Sequence, residues 1–187
     1  AGALGCKAQE IVFTSGATES SNLAIRGAAA AYGIKRKKIV ASAVEHASVK
    51  ATLSYLKTLG FTVVTVPPAA DGEYHTEDFL REIDSSVCLV SMMLVNNENG
   101  CRLPVENVFR MVKRNDPEII THCDAVQGFL KIPFKPRTLC ADLVSVSGHK
   151  VHALKGVGAL YIRHGVRVKP IPVSYTHLRA HETRSNL

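Results

Sequence analysis

Cys88-Leu89-Val90-Ser91-Met92-Met93-Leu94, then Val105, Val108, Phe109 and Val112 behind Pro104, then Ile119-Ile120-Thr121-His122-Cys123 closed by Asp124: this stretch reads as strand, helix, strand. The two flanking runs are short and almost continuously apolar, as strands buried on both faces are. The stripe between them repeats at helical spacing, and Pro104 suits the first turn of a helix. Such a unit joins parallel strands by a right-handed crossover. Working outward, similar short runs occur at Ile11 to Thr14, Ile39 to Ser42, Thr62 to Val66, Leu143 to Val146 and Ala159 to Ile162, and Val49, Leu53 and Leu56 form a second helical stripe. The pattern predicts an α/β domain over residues 1–172, three layers deep (α/β/α), around a mainly parallel sheet of roughly seven strands. Ligands of such sheets lie beyond the carboxyl ends of the strands, where the loops collect.

Composition bounds the reading. A chain of 187 residues with 46% hydrophobic and 21% charged residues builds one sizeable core. The net charge of +7 is scattered, which gives a nucleic-acid partner no support. The one dense run, Lys35-Arg36-Lys37-Lys38, is expected to be a solvated cap on a helix C-terminus. Five cysteines without close pairing or a Cys-x-x-Cys argue against structural zinc and a disulfide framework, and for a reducing compartment. Cys88 and Cys123, inside apolar runs, are expected to be buried. No apolar stretch approaches the roughly 18 residues of a membrane helix and no signal peptide opens the chain, so the expectation is a soluble, cytoplasmic domain with no membrane partner and no metal.

The residues with chemistry fall just after strands. Gly16-Ala17-Thr18 offers backbone N–H groups and a hydroxyl at a helix start, a cradle for phosphate or an ordinary cap. His46, after Glu45, is placed to stack on an aromatic ring and move protons, or else to cap the next helix. Asn96-Asn97-Glu98-Asn99-Gly100 reads as a tight turn with an amide available to a ligand. Asp124 is costly to bury without a cation, and a protonated ring nitrogen would serve; Gln127 is placed to bond a ring oxygen. Ser147-Gly148-His149-Lys150 supplies an amine able to form a Schiff base, with anion-binding neighbours.

These motifs, with Ile11-Val12-Phe13-Thr14-Ser15-Gly16-Ala17-Thr18-Glu19-Ser20 at their head, stand in the order and approximate spacing of NifS-like cysteine desulfurases. From about Gly5 to Ile171 the chain resembles the large domain of that group of class V, fold-type I enzymes dependent on pyridoxal 5′-phosphate. The resemblance implies that Lys150 holds the cofactor and later moves the substrate α-proton, and that His46 stacks on the ring and assists protonation. It further implies Asp124 on the pyridinium nitrogen, Gln127 on the ring hydroxyl, and Ala17, Thr18, Ser147 and His149 on the phosphate. Asn97 would lie near the cofactor and the substrate carboxylate. The implied reaction takes sulfur from L-cysteine, leaves L-alanine and an enzyme persulfide, and serves a sulfur-acceptor or iron–sulfur scaffold protein. A homodimer is implied for the full-length form.

The sequence also departs from that pattern. None of the five cysteines matches the position of the persulfide cysteine, so this chain alone is expected to be inactive and incomplete at both ends. Residues 173–187 are expected to be a foreign, disordered tail. His152-Ala153-Leu154 replaces a more usual aromatic residue or His followed by Gly-Pro. A selenocysteine lyase or related lyase would share every cofactor motif, and a non-catalytic fold fragment or sulfur-transfer scaffold is the alternative of another class.

Overall fold

The structure is a computed structural model and describes residues 1–171. Seven strands form one sheet in the order β1-β7-β6-β5-β4-β2-β3, where β1 is Ile11–Thr14, β2 Lys38–Ser42, β3 Thr62–Val66, β4 Val87–Met93, β5 Ile120–Asp124, β6 Leu143–Ser147 and β7 Gly158–Ile162. Strands β2 to β6 pair in parallel. β7 runs antiparallel to both β6 and β1, so β1 points the same way as the parallel set. Each predicted strand is present, with ends displaced by no more than a residue.

Alternation along the strands explains the layers. Ile39, Ala41, Leu89, Ile120, Leu143 and Leu160 face helices α1 (Ala17–Tyr32) and α2 (Ala47–Thr58), whose Leu23, Ile25, Val49, Leu53 and Leu56 complete that core. Val40, Val90, Met92, Cys123, Val144 and Tyr161 face the opposite way, towards Phe79 of α3 (Thr76–Arg81) and the stripe of α4 (Val105–Asn115). All four stripe residues, Val105, Val108, Phe109 and Val112, are fully buried, each worth about 1.5–3 kcal/mol before the entropy of ordering is subtracted. Cys88 and Cys123 are buried as expected.

The basic run departs from expectation. No basic residue lies in the last turn of α1. Instead Arg36 pairs with Asp116 at 2.5 Å and Glu118 at 3.0 Å, while Lys38 opens β2 and pairs with Asp84 at 2.8 Å and Glu82 at 3.6 Å. The run ties the α1–β2 loop to the loops that lead into β4 and β5, because the crossovers bring all three to the amino end of the sheet. At the same end the buried Asp142 pairs with Lys113 and, at 2.7 Å, with Arg163. Among the described residues no helix is long and apolar enough to cross a membrane. The tail expected to be foreign, 173–187, lies outside the described residues.

Candidate functional site

Six strands, β1 to β6, end at one edge of the sheet, and the motifs singled out above follow five of them. Ala17 and Thr18 open α1 after β1; His46 follows β2; Asn97 follows β4; Asp124 ends β5, with Gln127 beyond it; Ser147 ends β6 and leads into a 3₁₀ turn, Gly148–Val151, that carries His149 and Lys150. His152 closes that turn in the left-handed conformation, φ 62°.

Gly158 fixes one half of this edge, a residue that inspection of the sequence missed. It pairs with Thr14 on one side and Ser147 on the other. A Cβ there would lie 2.6 Å from the Gly16 backbone and 2.9 Å from Thr14 Oγ1, so only glycine lets the β1–α1 turn and the β6 loop approach so closely. The turn itself is locked: Thr14 Oγ1 donates to Gly16 O at 3.1 Å and bonds Ser20 Oγ at 2.7 Å, and Glu19 Oε2 accepts from Ser15 N–H and Oγ–H at 2.6 and 2.7 Å. No side chain caps α1, which leaves first-turn N–H groups and the exposed Thr18 hydroxyl for an anion. Across Gly158, Ser147 Oγ bonds His149 Nδ1 at 2.7 Å.

Asp124 dominates the other half. It is in register with Met93 of β4 and Ser145 of β6 and is 6% exposed. Among the described residues its carboxyl has one hydrogen bond, accepted at Oδ1 from Val126 N–H at 3.1 Å, and no ion pair. Burial pushes its carboxyl up, against smaller opposing effects of the Val126 bond and the nearby His46 ring. A carboxylate left this way is costly unless a cation reaches it. On the adjacent strand's loop, the exposed Lys150 amine makes no hydrogen bond or ion pair among the described residues.

The remaining predicted residues divide. His46 does cap α2, with Nδ1 accepting from Ser48 N–H at 3.2 Å, and it also lies close enough to Asp124 to influence its charge. Asn96 is the turn former: it is buried, its Oδ1 accepts from Glu98 and Asn99 N–H at 2.8 and 3.0 Å, and Nδ2 donates to Val44 O at 3.3 Å. Asn97 is left exposed, with its amide free of that task. Gln127 is half-buried; its Oε1 accepts from Lys131 Nζ at 3.2 Å, which leaves the amide N–H groups to donate.

Beneath Asp124 runs a polar chain that the apolar look of β5 concealed. His122, two residues earlier and so on the same face, bridges Ser91 Oγ at 2.9 Å and Ser145 Oγ at 3.0 Å. All three are fully buried, and burial lowers the imidazole to about 3, so it is neutral. A histidine in an apolar run was the available signal, since a buried imidazole needs partners from both neighbouring strands.

An anion seat, an unpaired amine and a buried unpaired carboxylate thus share one edge of the sheet. The sequence pattern of the family described as Aminotransferase class-V matches residues 1–179. The chain belongs to the aminotransferase class-V family. Within it, this class-V chain is 39% identical to the mitochondrial cysteine desulfurase of Drosophila melanogaster, over 91% of the chain and 36% of the fly protein. It is 41% identical to cysteine desulfurase IscS of Dictyoglomus turgidum, over 90% of the chain and 42% of that protein. Among solved structures it resembles a NifS-like protein, with a TM-score of 0.87 and 41% identity over 91% of this chain and 47% of the other. A structure described as SspA in complex with cysteine gives a TM-score of 0.85 and 35% identity, over 91% and 49% of the two chains. The chain therefore spans less than half of each of these relatives.

Proposed function

We propose that this edge binds pyridoxal 5′-phosphate and belongs to a cysteine desulfurase, which takes sulfur from L-cysteine and leaves L-alanine. The observation that carries this reading is Asp124, a buried carboxylate that has no cation among the described residues and lies one strand from the amine of Lys150, likewise unpaired among them. The fit is chemical at each point. The α1 N–H groups at Ala17 and Thr18, the Thr18 hydroxyl, Ser147 and His149 would hold the phosphate. Asp124 would keep the ring nitrogen protonated, Gln127 would donate to the ring hydroxyl, and His46 would cover the ring face. Lys150 would hold the cofactor covalently and, once displaced, carry the substrate α-proton; Asn97 would orient the substrate carboxylate. When bound, the cofactor supplies an electron sink for the amino acid's carbon framework.

Four of the five cysteines are poor candidates for the sulfur-accepting thiolate. Burial pushes the Cys88 thiol up to about 11 and raises the Cys123 thiol well above its ordinary value, and it also raises the half-buried Cys6 and Cys101. None of these four is an activated nucleophile. A sulfur-acceptor or iron–sulfur scaffold protein as partner, a homodimer as the assembled form and a cytoplasmic location complete the proposal. The test is direct. Pyridoxal 5′-phosphate added to the purified protein should give a near-visible absorbance band that is lost in Lys150→Ala, and L-cysteine should perturb it. A band equally strong in the alanine variant, or none in either protein, overturns the reading.

A further inference from the structure

Glu45 lies in the turn after β2, one residue before His46, and none of the roles above uses it. Its side chain is 2% exposed. Oε1 accepts two hydrogen bonds, from Ser42 Oγ–H at 2.5 Å and from Met93 N–H at 2.7 Å, whereas Oε2 is buried without a partner among the described residues. Met93 is in register with Asp124, so the Glu45 carboxyl terminates on the strand next to the carboxylate assigned to the ring nitrogen. Among the described residues neither acid has an ion pair. The other groups that bear on Glu45 are Lys50, one turn along α2, and Tyr74, whose buried hydroxyl also lacks a partner; His46 bears on Asp124.

Two neighbouring buried carboxyls with no ion pair among the described residues do not both ionise. If Glu45 carried the charge, Oε2 would be a bare buried anion, with both available donors spent on Oε1. If Glu45 carries the proton on Oε2, the two donors still hold Oε1 and the charge falls to Asp124. We propose that Glu45 is a positioning residue held as a neutral carboxylic acid: it fastens the turn bearing His46 to the end of β4 and leaves Asp124 the single anion offered to the cofactor ring. This deepens the reading given above and rests on it for the identity of the cation, but the protonation of Glu45 is a property of the unliganded protein.

The test therefore has two arms. Infrared spectra of the unliganded protein at neutral pH should show a protonated-carboxyl carbonyl band that loses intensity in Glu45→Gln; an unchanged band overturns the neutral-acid assignment. In cofactor titrations Glu45→Gln, which keeps the accepting oxygen and cannot ionise, should bind like the parent, while Glu45→Ala should bind at least about ten-fold more weakly because Met93 N–H and Ser42 lose their acceptor. Glutamine as damaging as alanine shows that a charge was required, and alanine binding like the parent shows that nothing was positioned; either overturns the proposal. If no variant binds cofactor yet the infrared band falls in Glu45→Gln, the neutral acid stands and the cofactor reading fails.

Discussion

In the proposed function Asp124 opposes folding and favours binding, which makes its removal informative. Its raised pKa means that ionisation at neutral pH is a cost the unliganded fold carries. Asp124→Asn should therefore leave the unliganded melting temperature unchanged or higher, by the equivalent of up to about 1 kcal/mol, yet lower pyridoxal 5′-phosphate affinity at least about ten-fold. Parallel thermal melts and cofactor titrations would show this divergence; loss of both together would make Asp124 a purely structural group. Gly158→Ala tests the other half of the edge. The added Cβ meets the Gly16 backbone and the hydrogen-bonded Thr14 hydroxyl, so it should cost about 1–3 kcal/mol and weaken phosphate binding, read by chemical denaturation and by competition with inorganic phosphate. Asp124 was legible in the sequence because a carboxylate closing an apolar run is conspicuous. Gly158 was not, since the crowding there comes from Gly16 and Thr14, far away in the chain. Glu45 was overlooked because its partner Met93 belongs to another strand.

The strands and the helical stripe of α4 were legible for a local reason: periodicity of burial is written in consecutive residues. All four stripe positions are solvent-free, and Phe109 is among the largest fully buried side chains. Phe109→Ala should cost about 3–5 kcal/mol in urea unfolding, whereas Arg110→Ala on the exposed face should change stability by less than about 0.5 kcal/mol. Equal effects would contradict the assigned helix face. What the sequence pattern did not give was the order of the strands. β1 reaches the parallel set only because β7 turns back and lies between it and β6. That placement brings the α1 N-terminus beside the Ser147 loop, and no local signal encodes it. The basic run 35–38 failed for a related reason, as its acidic partners lie at Asp84 and Asp116, on loops that the crossovers bring near.

Two buried groups shape the pH response of the fold from opposite sides. His122 is lowered to about 3 from an ordinary value of 6.5, so its contribution is present above 6.5 and is lost as pH falls towards 3. Glu45 is raised from 4.5 to about 8, so its contribution is present below 4.5 and is lost as pH rises through 8. From these two groups, stability should peak between about pH 4.5 and 6.5. Melting temperature against pH should show both limbs, with His122→Gln flattening the acid limb and Glu45→Gln the alkaline one; a profile untouched by either substitution would show that the buried polar layer is not coupled to folding. The proposed function rests on one claim, that the carboxyl edge of the sheet gathers an anion seat, Asp124 and Lys150 around a single ring. Its most direct test is to incubate the protein with pyridoxal 5′-phosphate, reduce with borohydride and map the modified peptide by mass spectrometry. The account predicts one stoichiometric label on Lys150, diminished in Asp124→Asn; labelling spread over surface lysines, or absent from Lys150, would contradict it.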